Sequence, residues 1–184
     1  DNGKRLRIEI QAVAAFLPWP QQAEMVAQQW KDIGIQGDVK ELERGQAMGR
    51  ALRNEHHIMV WTNNGTSQLY LFPTHAIPVD PTGGSFMGPA FAKWYASDGK
   101  QGIEPKDPEM LRIFKLFKSA ATQKEQQRFE TAKEIWRIIV DQQYGIGTVG
   151  QSPALMGVRV VNNKLRNIPG RQCIAQHCRT PGGG

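Results

Sequence analysis

His57-Ile58-Met59-Val60-Trp61-Thr62-Asn63-Asn64-Gly65 holds three consecutive apolar residues, two of them β-branched, followed by Trp, two amides and a glycine. The apolar run reads as a buried strand over 57–61. Ligands of open α/β sheets bind just outside the carboxyl ends of the strands. A Trp at that end can stack, and Asn side chains both donate and accept hydrogen bonds. Those residues suit a polar ligand that is uncharged or zwitterionic. They suit equally a Trp that caps a core with a turn behind it.

Working back from this strand, Arg5 to Gln11 alternates polar and apolar residues, with Leu6, Ile8 and Ile10 on one side, which predicts a strand. Pro20 fits the first turn of a helix that carries Ala23, Val26, Ala27, Trp30 and Ile33, with Gly34 placed to end it. Ile35 to Glu43 reads as a second strand and Gln46 to Asn54 as a short helix. The order is β-α-β-α-β, which argues for parallel strands joined by right-handed crossovers. The first strand-to-helix turn, Ala14-Ala15-Phe16-Leu17-Pro18-Trp19-Pro20, has no glycine-rich phosphate loop, so nucleotide binding is not supported.

Working forward, 62–106 is long, irregular and rich in Gly, Pro and aromatic residues, a combination usual for functional loops. Tyr70, Phe86, Trp94 and Tyr95 lie in it. Most of its aromatics are expected to build a satellite core, and a few to face a ligand. Ala90 to Tyr95 reads as a short helix. Asp107-Pro108-Glu109 is an N-cap, an N1 proline and a first-turn acid, opening a helix with Leu111, Phe114, Phe117 and Ala121 as its buried stripe. Thr122-Gln123-Lys124-Glu125 reads as a capping box, and Phe129, Ala132, Trp136, Ile139 and Val140 as the core stripe of the next helix. Strands are expected at 144–150 and 156–161. The fold class is α/β, an open mixed sheet with helices on both faces.

The 184 residues suit one domain or one lobe of a larger protein. No run approaches the ~20 apolar residues of a membrane span, and the opening Asp1-Asn2-Gly3-Lys4-Arg5 has no apolar signal region. Net charge is +6, but Lys4, Arg5, Arg7, Arg44, Arg50, Arg53, Arg159, Lys164, Arg166 and Arg171 are scattered rather than clustered. Nucleic acid is therefore not expected as a partner. Cys173 and Cys178 can form a local disulfide, or with His177 part of a metal cluster that lacks a fourth nearby ligand. No metal or cofactor is expected.

A catalytic constellation is not evident. Gly-x-Ser-x-Gly and His-Glu-x-x-His are absent. His56 and His57 are neighbours whose side chains diverge on a strand, and nothing fixes the separation of Asp80 from Glu104. The residues favour a binding module over an enzyme. An enzyme domain with its site in 62–106 and a basic nucleic-acid-binding module are the rival readings.

Several phrases resemble the C-terminal lobe of the family 5 extracellular solute-binding proteins of ABC importers, the group with oligopeptide-, dipeptide-, nickel- and oligosaccharide-binding members. Ala27-Gln28-Gln29-Trp30-Lys31-Asp32-Ile33-Gly34-Ile35 resembles the family's helix that leads into a strand. Arg50 to Trp61 is similar to its short helix followed by a strand ending in Trp, and 122–140 to its late helix. Gly88 to Tyr95, Gly99 to Pro105, Ile146 to Gly150 and Val161 to Pro169 resemble a subgroup assigned to peptides or oligosaccharides. The resemblance runs over about 6–170.

It implies that 1–170 is one ligand-binding lobe and 171–184 a tail. The N-terminal lobe and an export signal would lie elsewhere in a longer protein. The implied location is periplasmic or membrane-anchored extracellular, and the partners are a small or oligomeric solute and ABC permease subunits. The segment after Trp61 would supply ligand contacts. In peptide-binding members an Asp in this region holds the ligand's α-amino group; Asn63 and Asn64 here are neutral, which leans toward an uncharged ligand. The candidate ligand-binding residues are Trp61, Asn63, Asn64, Tyr70, Phe86, Trp94 and Tyr95.

Overall fold

The computed structural model describes residues 5–15, 17–61, 69–70, 73–82, 86–147, 164 and 166. Strand β1 spans Arg7–Val13, helix α1 Trp19–Asp32, strand β2 Gln36–Leu42, helix α2 Arg44–Leu52 and strand β3 Ile58–Met59. The expected β-α-β-α-β order is present. β1 pairs in parallel with both neighbours, giving the order β2-β1-β3. Beyond β3 the ladder continues one step, with the Val60 N–H donating to the Gln11 carbonyl at 2.9 Å.

The first strand lies two residues further on than its alternation suggests. Leu6 precedes it and is 57% exposed, whereas Ile10, Gln11, Ala12 and Val13 are all buried. Being central, β1 is covered on both faces, so alternation cannot mark its inner end. On one face Ile10 meets α1: a Cβ placed on Gly37 would lie 2.8 Å from Ala27 Cβ and 3.2 Å from Ile10 Cδ1. On the other face the Gln11 amide donates to the Ala47 carbonyl of α2 at 3.0 Å. The helices therefore flank the sheet, as right-handed crossovers in opposite directions require.

Helix α2 begins two residues before its expected start, because Glu43 accepts from the N–H groups of Gly45 and Gln46. The chain leaves α1 through a Schellman turn. Gly34 takes φ 85°, its N–H reaches the Lys31 carbonyl, and the Ile35 N–H reaches that of Trp30. α2 closes in the same way through Asn54, without a glycine.

A second core lies under the later helices α3 (Pro89–Ala96), α4 (Pro108–Ser119) and α5 (Glu125–Asp141). Ile77, Ile113, Phe114 and Ile135 are at its centre, with Leu69 and Val79 from the long loop. Asp107 caps α4 as expected, accepting from the Glu109 N–H at 2.9 Å. The buried face of α4 is Met110, Ile113 and Phe114; Leu111 and Phe117 are half-buried, and Ala121 is exposed.

Two expectations fail here. Thr122 forms no capping box. α4 runs on into a 3₁₀ turn, Ala120–Thr122, whose last hydroxyl donates back to the Ser119 carbonyl, and α5 starts after Lys124 with no side-chain cap. The core stripe of α5 is also rotated. Thr131, Ile135, Ile138 and Ile139 are buried, while Phe129 and Val140 are 55% and 68% exposed. Two apolar stripes share this helix, and packing against Met110, Ile113 and Phe114 selects one of them. Thr131 fits because its hydroxyl reaches the Gln123 side chain and the Gln127 carbonyl.

The strand expected at 144–150 is not formed over its described part, 144–147. Gln143 takes φ 52° and the Tyr144 N–H bonds the Ile139 carbonyl, so these residues close α5. The remainder of that strand, the one expected at 156–161, and Cys173 and Cys178 lie outside the described residues. Among the described residues no helix is long and apolar enough to cross a membrane.

Candidate functional site: an aromatic edge at the carboxyl end of the sheet

β1 and β3 are adjacent and parallel, and their carboxyl ends open on the same edge. The chain leaving β1 turns through Ala15 and Leu17 into α1, whose first residue is Trp19. The chain leaving β3 reaches Trp61 two residues later. The Trp19 and Trp61 rings meet with centroids 4.9 Å apart. Trp19 is buried and Trp61 half-buried, so one ring forms the floor and the other the rim.

Phe86 arrives from the long loop and packs on Trp61, centroids 5.4 Å apart. His75 stacks on Phe86 at 5.3 Å, and His56 Nε2 lies 2.8 Å from the Phe86 carbonyl. Arg44, the first residue of α2, brings its guanidinium carbon to 5.7 Å from the Trp61 ring centroid, within cation–π range. The edge thus joins an apolar wall to a permanent positive charge.

Of the predicted residues, the structure brings together Trp61 and Phe86. Tyr70, Trp94 and Tyr95 gather instead around α4. Trp94 and Tyr95 pack on Phe114, with centroids 6.1 and 4.9 Å away, and Tyr70 stacks on Phe117 at 5.6 Å. The Tyr70 hydroxyl donates to the Arg128 carbonyl at 2.8 Å. Burial pushes both phenols above their ordinary titration range, opposed by Arg128 at Tyr70 and by Lys118 at Tyr95. These three rings serve the second core. Asn63 and Asn64 lie outside the described residues.

Trp19, Arg44, His56 and His75 are the residues that sequence reasoning did not select. Trp19 was legible by position, since it follows the carboxyl end of β1. Arg44 follows the carboxyl end of β2 in the same way. The histidines carried no such signal, because only the folded loop brings them to Phe86.

Chemically the edge can stack against a flat or apolar surface and offer charge-assisted hydrogen bonds. Among the described residues no three His, Cys, Asp or Glu side chains group as metal ligands. His57 is turned away from the edge, its Nδ1 accepting from the Glu9 N–H at 3.1 Å. The Asp80 carboxylate is engaged by the N–H and hydroxyl of Thr82.

An oligopeptide-binding protein, OppA, matches over 77% of this chain with a TM-score of 0.65 and 22% identity. The described fold is similar to about a quarter of that protein's chain. A second match is the periplasmic binding protein MelB of Agrobacterium fabrum, solved in complex with stachyose; it covers 75% of this chain with a TM-score of 0.55 and 14% identity. The chain spans 24% of the OppA chain and 20% of the MelB chain. No family model matches the sequence, and no curated protein matches it.

Proposed function

We propose that this chain is a ligand-binding lobe of the periplasmic solute-binding component of an ABC importer. It captures a small oligomeric solute, a peptide or an oligosaccharide, against a second lobe of the same protein. The loaded protein then delivers the solute to the permease subunits. The observation that carries the reading is the Trp61–Phe86 wall at the carboxyl edge of a parallel sheet, on a fold shared with proteins that hold peptides or stachyose.

In this reading Trp61 supplies the stacking face and Phe86 extends it. Asn63 and Asn64, two and three residues after Trp61 in sequence, supply polar contacts. Tyr70, Trp94 and Tyr95 hold the second core from which the Phe86 segment approaches. Neutral Asn in place of a carboxylate favours a ligand not anchored by an amine, and Arg44 favours one rich in acceptors, such as sugar hydroxyls or a peptide carboxylate.

The test is calorimetric titration of the full-length protein with stachyose and with trialanine. Saturable heat with either supports a solute-binding role, and the preferred probe assigns the class. No heat with either, together with cleavage of a glycoside or peptide, would favour the enzyme reading instead.

A further inference from the structure

We propose that His56 is the positioning residue of the aromatic edge, acting through the backbone of Phe86; the proposal rests on the solute-binding reading above. The chain at Phe86-Met87 straddles the two cores. The Phe86 ring meets Trp61, which packs on the sheet core, while Met87 packs on the core of the later helices. From one side the segment is fixed by α3, since the N–H groups of Phe91 and Ala92 bond the Gly88 carbonyl at 2.9 and 3.0 Å. From the other side the hydrogen bond is from His56, which stands just ahead of β3 and thirty positions away in sequence.

That bond has a defined direction. A carbonyl oxygen only accepts, so the proton is on Nε2. Among the described residues Nδ1 is buried without a hydrogen-bond partner, and the ring has no described hydrogen bond that competes with this one. His56 thus sets how far the Phe86 ring lies from Trp61 without contacting a ligand itself.

The experiment measures acrylamide quenching of tryptophan fluorescence in His56→Ala, His56→Gln and Phe86→Leu, each also in a Trp61→Phe background. Titration with stachyose and trialanine runs in parallel. His56→Ala is expected to raise quenching and weaken binding of whichever probe the wild type takes. The quenching rise disappears in the Trp61→Phe background. Combined with Phe86→Leu it adds nothing, because both act on one contact. His56→Gln, whose amide can donate to the same carbonyl, restores both readouts.

Unchanged quenching in a folded His56→Ala protein would overturn the proposal. So would a His56→Gln protein that behaves like His56→Ala. If His56→Ala does not fold, His56→Gln decides: wild-type quenching supports the bond, raised quenching refutes it. If the wild type binds neither probe, the solute-binding reading fails, and the quenching arm still decides the role of His56.

Discussion

Trp19 and Trp61 touch with ring centroids 4.9 Å apart and planes inclined at 44°. They come from opposite ends of the β-α-β-α-β unit and meet because β1 and β3 are neighbours. Trp19 is 3% exposed, so its role is to seat the ring above it. Trp19→Ala should lower unfolding free energy by about 3–5 kcal/mol, the usual cost of a buried aromatic, measured by urea denaturation. A loss below about 1 kcal/mol would place Trp19 outside the core.

The rotated stripe of α5 makes a paired prediction. Ile135→Ala, at a fully buried position, should cost about 2–5 kcal/mol. Val140→Ala, on the exposed side, should stay within about 0.5 kcal/mol of wild type. Denaturation midpoints of the two variants check this, and equal losses would restore the stripe read from sequence.

Gly37 lies where β2 passes under α1. An added methyl would press on Ala27 and Ile10, and backbone atoms of a helix cannot move aside cheaply. Gly37→Ala should destabilise by about 1–3 kcal/mol through overpacking, read as a lower thermal midpoint. A midpoint at or above wild type would mean that α1 shifts freely.

The elements legible in the sequence were those with local signals. Gly34 ended α1, Asp107-Pro108 opened α4, and Pro89 began α3 close to its expected place. Elements decided by partners were misread. Gln11, a polar position in the alternating pattern, is buried because α2 covers it. Phe129 and Val140 looked like core until α4 chose Ile135. Capping by Thr122 failed because α4 did not stop before it. The candidate site was half legible: position relative to a strand end points to Trp61 and equally fits Trp19 and Arg44. An aromatic-rich loop could not by itself separate Phe86, which meets Trp61, from Trp94 and Tyr95, which pack on Phe114.

Tyr144 and Asp107 give a pH signature. The Tyr144 hydroxyl donates to the Asp107 carboxylate, and that bond, followed by the Glu109 N–H, holds the carboxyl below its ordinary range. Burial first, then Asp107, pushes the phenol above its own range. The Asp107 contribution is present above its unfolded value near 3.9 and is lost as pH falls through the folded one. The Tyr144 contribution is present below about 10 and is lost as pH rises through its folded value. Tyr144→Phe should therefore shrink both the acid and the alkaline loss in a stability–pH profile, the remaining alkaline loss coming from the buried phenols of Tyr70 and Tyr95. An unchanged profile would mean that the pair adds nothing to stability.

The role proposed for the carboxyl edge at Trp61 is solute binding. It is tested most directly by calorimetry of the full-length protein and its Trp61→Ala variant with the preferred probe of the wild type. Losing a stacked large side chain should weaken binding by ~1–3 kcal/mol, about 5- to 150-fold in dissociation constant. An affinity equal to wild type in a folded variant would contradict the account and leave Trp61 as the cap of the sheet core.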